Sequence, residues 1–232
     1  MRNTKTVYAA VMVGLITAFS ISNPVVAKSG QIGILGLFDV DSSVPSTVNT
    51  AKIERLGCKV RRSGVIGGGQ GNIEIDDPNR FVLLACDGSL LESEETRGAL
   101  NTMFSKGKML ALLEGDLTNM PDAGHDSVLS ERQYILKISH YNNRYVDDRD
   151  QELNKLNQEA SSRPDSYVTE SSIDVNHASG MPTPDEIVVL YYDDTKQGDR
   201  FRKNNPDILS KISDFNKAHL NDFIYYVGQV AR

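Results

Sequence analysis

The 232 residues contain no tryptophan, two cysteines and four histidines, and aromatic residues make up only 7%. Two cysteines exclude a disulfide-dense scaffold and a cysteine-based zinc ribbon. The histidines, His125, His140, His177 and His219, are dispersed with no H-x-H or H-E-x-x-H spacing, so no metal is implied. A positive excess is also missing: 25 Lys and Arg stand against 31 Asp and Glu, which argues against nucleic acid or an anionic membrane as partner. No long apolar run follows residue 21, so nothing after it is patterned to span a bilayer.

The N-terminus is patterned differently. Arg2 and Lys5 precede an apolar stretch from Val7 to Ile21, and Val25-Val26-Ala27 offers small residues. The stretch is shorter than the roughly 20 residues a spanning helix needs. Residues 1–27 therefore read as a secretory signal peptide, leaving a secreted or periplasmic product with no membrane contact after cleavage. Cleavage removes two basic and no acidic side chains, so the remainder carries 23 basic against 31 acidic groups.

Two stretches, residues 31–117 and 133–232, read in the same order: strand, helix, strand, strand, helix, strand. In the first, "QIGILGLFDV" is a strand, Val44–Leu56 a short helix, "CKVRRSGVI" and "RFVLLACDG" strands, "SEETRGALNTMFSKG" a helix capped by Ser93, and "KMLALLEGDL" a strand. In the second, "QYILKISHY" is followed by a helix over "DDRDQELNKLNQEA", the strand "SYVTESSIDV", a loop over "NHASGMPTPD" and the strand "EIVVLYYDD". A helix capped by Asn205 with Pro206 at its first position then leads to the strand "DFIYYVGQV". Residues 118–132, polar and without a period, read as a linker. Aligning the halves needs a shift of 101 at the first strand, 106 at "FVLLACD" and 113 at the last, and it matches Asp87 with Asp193 and Gly115 with Gly228. This implies an internal repeat.

The β-α-β-β-α-β order is ferredoxin-like; the alternative for the first half is a flavodoxin-like α/β sheet. The glycines of "SGVIGGGQGN", Ser63 to Asn72, bear on the choice. A dinucleotide or P-loop cradle must open a helix, whereas "NIEIDDPNRF" follows with a proline and two adjacent acids. The stretch reads as a hairpin turn and no nucleotide or other cofactor is implied.

The run "GCKVRRSGVI", "RFVLLACDGSLLESEETRGAL" and "MLALLEGDL" resembles the dimeric α+β barrel superfamily, which includes antibiotic-biosynthesis-type monooxygenases and stress-responsive barrel proteins. The resemblance implies two ferredoxin-like repeats packed sheet to sheet as an intramolecular α+β barrel. It also implies a cofactor-independent monooxygenase or isomerase acting on a small aromatic or enolic substrate as one functional reading. The other is a non-catalytic binding or accessory protein holding a small apolar or aromatic ligand, as a monomer or homodimer.

Residues facing each other across a hairpin have a constant sum, and 58 plus 86 centres one on Asn72. A Cys58–Cys86 disulfide is therefore expected. His140, Tyr192 and His219 are the candidate catalytic residues, and Tyr141, Tyr191, Tyr225 and Tyr226 the candidate ligand contacts. Imidazole and phenol sharing a sheet–helix cavity can orient or deprotonate a phenolic or enolic group. The competing reading makes the tyrosines core residues with hydrogen-bonded tips.

Overall fold

In the computed structural model of the chain, residues 30–41, 48, 50–88, 94–104, 107–119, 128–144 and 146–230 are described. The leader at 1–27, the start of the first expected helix at Val44 and the expected cap Ser93 of the second lie outside them. Among the described residues the order is β1 (Ile32–Val40), α1 (Thr50–Arg55), β2 (Cys58–Gly71), β3 (Arg80–Cys86), α2 (Glu94–Asn101), β4 (Gly107–Asn119) and β5 (Gln133–Tyr141). There follow α3 (Val146–Ser161), β6 (Val168–Ser179), β7 (Glu186–Tyr192), α4 (Thr195–Asn204), α5 (Pro206–His219) and β8 (Leu220–Val230).

The eight strands close into an antiparallel barrel in the order β1-β3-β2-β8-β5-β7-β6-β4. Closure leaves no edge strand. It also explains the composition. β3 and β7 are buried on both faces apart from Arg80, one face filling the barrel and the other lying under helices, so both read as unbroken apolar runs rather than alternating ones. Leu35, Leu37, Phe81, Leu113, Tyr134, Leu136, Val189 and Tyr226 pack inside. Outside, α1 and α2 cover Ile34, Phe38, Val82 and Leu84, while α3, α4 and α5 cover Ile135, Val188, Leu190 and Tyr225.

The flavodoxin-like alternative for the first half does not hold, because every strand pair is antiparallel and β2 and β3 are neighbours. The pairings of the two halves run in one register. Ile32↔Cys86 becomes Gln133↔Tyr192, and Gly36↔Leu112 becomes Lys137↔Tyr225, at offsets of 101, 106 and 113 for β1, β3 and β4. Val60↔Leu84 becomes Thr169↔Leu190, and Ile66↔Gly228 becomes Val175↔Gly115, which adds an offset of 109 for β2. Two of the three bulges in each half fall at matching places, at Arg61 and Glu170 and again at Gly67 and Asn176, whereas the third lies at Leu110 in β4 and at Asn221 in β8, two positions out of step. Cys58 lies opposite Cys86 in register, and the two form a disulfide.

The glycine stretch is not a turn. Ser63 to Gly71 is the distal part of β2, which leaves β3 after Val65 and runs along β8 from Val230 to Ile224. The glycines are demanded by close approach: a Cβ on Gly64 would lie 2.1 Å from the carbonyl oxygen of Gln229, and one on Gly71 2.1 Å from that of Phe223. The reversal comes later, over residues 72–79, where Ile73 and Ile75 pack across the end of the barrel. Asn79 fixes the re-entry: its side chain accepts from Val40 N and donates to Val40 O and Asp39.

Other boundaries also shift. β4 continues through Asn119 into the expected linker, and β6 continues through Ser179 into the expected loop, because β4 and β6 pair with each other across the seam. α4 went unanticipated; Asp194 caps it, accepting from Gln197 N at 2.7 Å. Asn205 does not cap α5 with its side chain. Its amide donates instead to Phe201 O and ends α4, while Pro206 opens α5 as expected.

Candidate functional site

Alternation along β5 sends Tyr134, Leu136 and Ile138 into the barrel and Ile135, Lys137 and Ser139 toward α3 and α5. Lys137 is 0% exposed, and its ammonium nitrogen has no hydrogen-bond partner. Ser139, also fully buried, leaves its hydroxyl unpartnered. Opposite Ser139 in register stands Glu186, the first residue of β7 and likewise buried. Tyr141 donates its hydroxyl to Glu186 Oε2 at 2.6 Å, and the Arg149 guanidinium from α3 sits 4.2 Å above the Tyr141 ring.

Burial dominates the electrostatics of this group. Desolvation pulls the Lys137 amine down to about 7, against the attraction of Glu186. Desolvation pushes the Glu186 carboxyl up to about 7, opposed by Lys137 and by the Tyr141 hydrogen bond. Burial and the neighbouring Glu186 raise Tyr141 above the ordinary phenol range. A buried amine shifted down and a buried carboxyl shifted up both move toward neutrality, the range in which side chains exchange protons with bound molecules.

A cleft of about 550 Å³ lies between the end of β2, α5 and β8; Lys137, Ser139, Tyr141 and Glu186 do not line it, and it approaches them only through their neighbours on β8. Phe223 and Tyr225 line it from β8, ring centroids 5.2 Å apart, and these are the register partners of Ser139 and Lys137. Asn216 lines it from α5, donating to the Tyr225 hydroxyl at 3.0 Å and leaving its own Oδ1 buried without a partner. Deeper in the layer, Leu153, Leu156, Ile208, Ile212 and Phe215 are packed together, so a large prosthetic group does not fit there without displacing them.

The sequence candidates fall in three places. Tyr191 and Tyr226 point into the barrel, whereas Tyr192 and Tyr225 point under the helices, so the tyrosines do not share one cavity. His140, at the end of β5, pairs through Nδ1 with Asp222 and keeps Nε2 buried without a partner. His219 pairs with Glu152 at 3.1 Å and packs on Phe215. Tyr141 and Tyr225 adjoin the Lys137 group; Tyr192 packs on Tyr167 and Phe201 with its hydroxyl unpartnered. At the opposite end of the barrel, Arg62 donates to the Tyr134 hydroxyl and Glu170, tying β2, β5 and β6 together, and burial with Glu170 lifts Tyr134 to about 12. Lys137 and Glu186 were not singled out from the sequence. The available signal was a lysine on the same strand face as Ile135 in an otherwise apolar run.

Among the described residues no group of three or more His, Cys, Asp or Glu side chains could hold a metal ion, and no helix is long and apolar enough to cross a membrane. No family model and no curated protein matches the chain. Solved structures do. A chlorite dismutase from Candidatus Nitrospira defluvii, in complex with imidazole, superposes with a TM-score of 0.56 at 13% identity, covering 89% of this chain and 93% of that one. A tryptophan-to-valine mutant of that enzyme gives a TM-score of 0.58 at 13% identity with the same coverage. An anthrone oxidase-like protein gives 0.55 at 13% identity over 88% and 93%. At such identities the likeness concerns fold alone: this chain shares the α+β barrel of chlorite dismutase-like proteins.

Proposed function

We propose that the chain is an exported small-molecule-binding protein whose site lies in the helix-facing layer of its second half, around Lys137, Glu186 and the cleft under α5. The observation that carries this reading is the burial of Lys137, its nitrogen unpartnered, and of Glu186 on the neighbouring strand, behind the Phe223 and Tyr225 side chains that line the cleft. Burying a charge without direct pairing costs several kcal/mol, and such groups concentrate at functional sites. The aromatic floor of Phe223 and Tyr225 suits a small apolar or aromatic ligand. A second reading, a cofactor-independent isomerase or monooxygenase-like enzyme for an enolic or aromatic substrate, is favoured by a buried amine and a buried carboxyl on facing strands, the carboxyl held by the Tyr141 hydroxyl.

Two further parts of the proposal rest on separate support. The barrel is an internal pseudo-dimer of two ferredoxin-like repeats; the common register, the matched bulges and the pair Gly115 and Gly228 at the two seams support this. Export is supported by the leader pattern of residues 1–27 and by a disulfide that an oxidising compartment would preserve.

Native mass spectrometry of protein purified from its natural compartment tests the binding reading. Wild type is expected to carry one bound small molecule per chain, with occupancy at least tenfold lower in Lys137→Met. An empty wild-type protein, or occupancy unchanged by the substitution, overturns it.

A further inference from the structure

The Lys137 amine has a chemistry that binding alone does not use. It is buried, has no hydrogen-bond partner, and lies on the same strand face as the unpartnered hydroxyl of Ser139. Glu186 stands opposite Ser139 in register and is held by Tyr141. By register the equivalent of Lys137 in the first half is Gly36, with the Phe38 ring closing over it. The barrel is thus built in one half without an amine at this position, so the amine in the other is not a requirement of packing. We infer that Lys137 Nζ condenses with the carbonyl carbon of a small aldehyde or ketone, forming an imine, the molecule entering past Tyr225 and Phe223, which separate Lys137 and Ser139 from the cleft under α5. The inference rests on the proposed site and names its ligand class.

The step balances without oxidant or reductant. The neutral amine attacks the carbonyl carbon; the N–C bond forms as the C=O π bond opens, and one amine proton moves to the oxygen to give a carbinolamine. The Ser139 hydroxyl is the group placed to donate to that oxygen. The C–O bond then breaks, the nitrogen lone pair forms the C=N bond, and the hydroxyl leaves as water with the proton of the Glu186 carboxyl. The remaining N–H proton passes to the Glu186 carboxylate, so one water is released and Glu186 is restored. Burial, which keeps part of the amine neutral and part of the carboxyl protonated at pH 7, supports both halves of the step.

The test is competitive reductive labelling of the intact, oxidised protein at pH 7 with benzaldehyde and cyanoborohydride, mapped by peptide mass spectrometry. Lys137 is expected to be labelled at least tenfold faster than the exposed Lys108 in the same molecule, a comparison that needs no variant. Glu186→Gln is expected to slow Lys137 labelling at least fivefold while leaving Lys108 unaffected, which a purely structural role for Glu186 would not do. Labelling confined to exposed lysines, or a Lys137 rate equal to that of Lys108, overturns the inference. Native mass spectrometry separates the two claims: a bound molecule that leaves on denaturation and yields no Lys137 adduct sinks the imine and keeps the site, whereas an empty protein sinks the site.

Discussion

The two halves of the barrel share a backbone plan and differ in what lies between sheet and helices. In the first half the layer is apolar and covalently fixed. Phe38 meets Phe104 edge to face at 5.0 Å, and Cys58 and Cys86 join β2 to β3. In the second half the positions related to Gly36, Phe38, Val40 and Arg80 hold Lys137, Ser139, Tyr141 and Glu186. The positions related to Cys58 and Cys86 hold Tyr167 and Tyr192, in edge contact at 6.2 Å. The clefts at the two seams correspond as well. Gly71, Asn221 and Phe223 line one, and their counterparts Gly180, Lys108 and Leu110 line the other, which residues 74–76 cover where the first has α5. One half is stapled by a disulfide; the other carries a buried lysine where its counterpart has Gly36 and a buried glutamate where its counterpart has Arg80. On the proposed reading, the second half carries the site and the first serves as scaffold.

Removing one member of the buried pair should break the contrast most severely. Lys137→Ala leaves both a cavity and an isolated acid, and is expected to cost about 3–5 kcal/mol in urea unfolding at pH 7. Lys137→Met combined with Glu186→Gln, which keeps an acceptor for Tyr141, should recover most of that loss, making the second half resemble the first. An equal loss in both variants would show that the pair is not energetically coupled. Next in size, replacing both cysteines with alanine should cost about 3.5 kcal/mol, as expected for a crosslink closing a loop of this length. Hydrogen exchange should then rise in β2 and β3 before β6 and β7; a uniform rise would deny that the two layers are independently supported.

The smallest effect is a dependence on pH. Between about 4.5 and 7 the native Glu186 holds a proton that the unfolded chain has released, so this group's contribution falls as pH rises. Between about 7 and 10.5 the unfolded Lys137 holds a proton that the native chain lacks, so its contribution rises with pH. Together they predict a shallow minimum of stability near pH 7, sloping about 1 kcal/mol per pH unit on either side. Tyr141, Arg149 and Asp174 also act on Glu186 and shape the acid side. Urea midpoints at pH 5, 7 and 9 should show the minimum in wild type and lose it in the double variant.

Much of the architecture was legible because strand burial writes itself into composition. The offsets of 101, 106 and 113 read from apolar runs are those of the strand registers, and the constant-sum rule paired Cys58 with Cys86 correctly. That rule succeeded for a partly mistaken reason. The first bulge, at Arg61, moves the sum to 145 within three residues of Cys58, and the reversal lies past Asn72. The glycine stretch misled because glycine marks both turns and crowded strand pairs, and only the tertiary partner β8 distinguishes them. The linker and loop boundaries failed for the same reason, since β4 and β6 are lengthened by each other. The site was the least legible part. Tyrosines were chosen by residue type, but strand parity divides Tyr191 from Tyr192 and Tyr225 from Tyr226 between opposite faces. Lys137 is anomalous only once its strand is known to be buried on both sides.

β8 is the last barrel strand in the chain, yet it lies between β2 and β5 and pairs with both. As the protein is synthesised, seven strands emerge before the one that closes the sheet on itself, and until then β2 and β5 each present an unpaired edge. The barrel therefore closes by the arrival of a single late segment. A chain stopped before Leu220 would be an open curved sheet, adhesive at both borders, and its completion is a matter of time as much as of sequence.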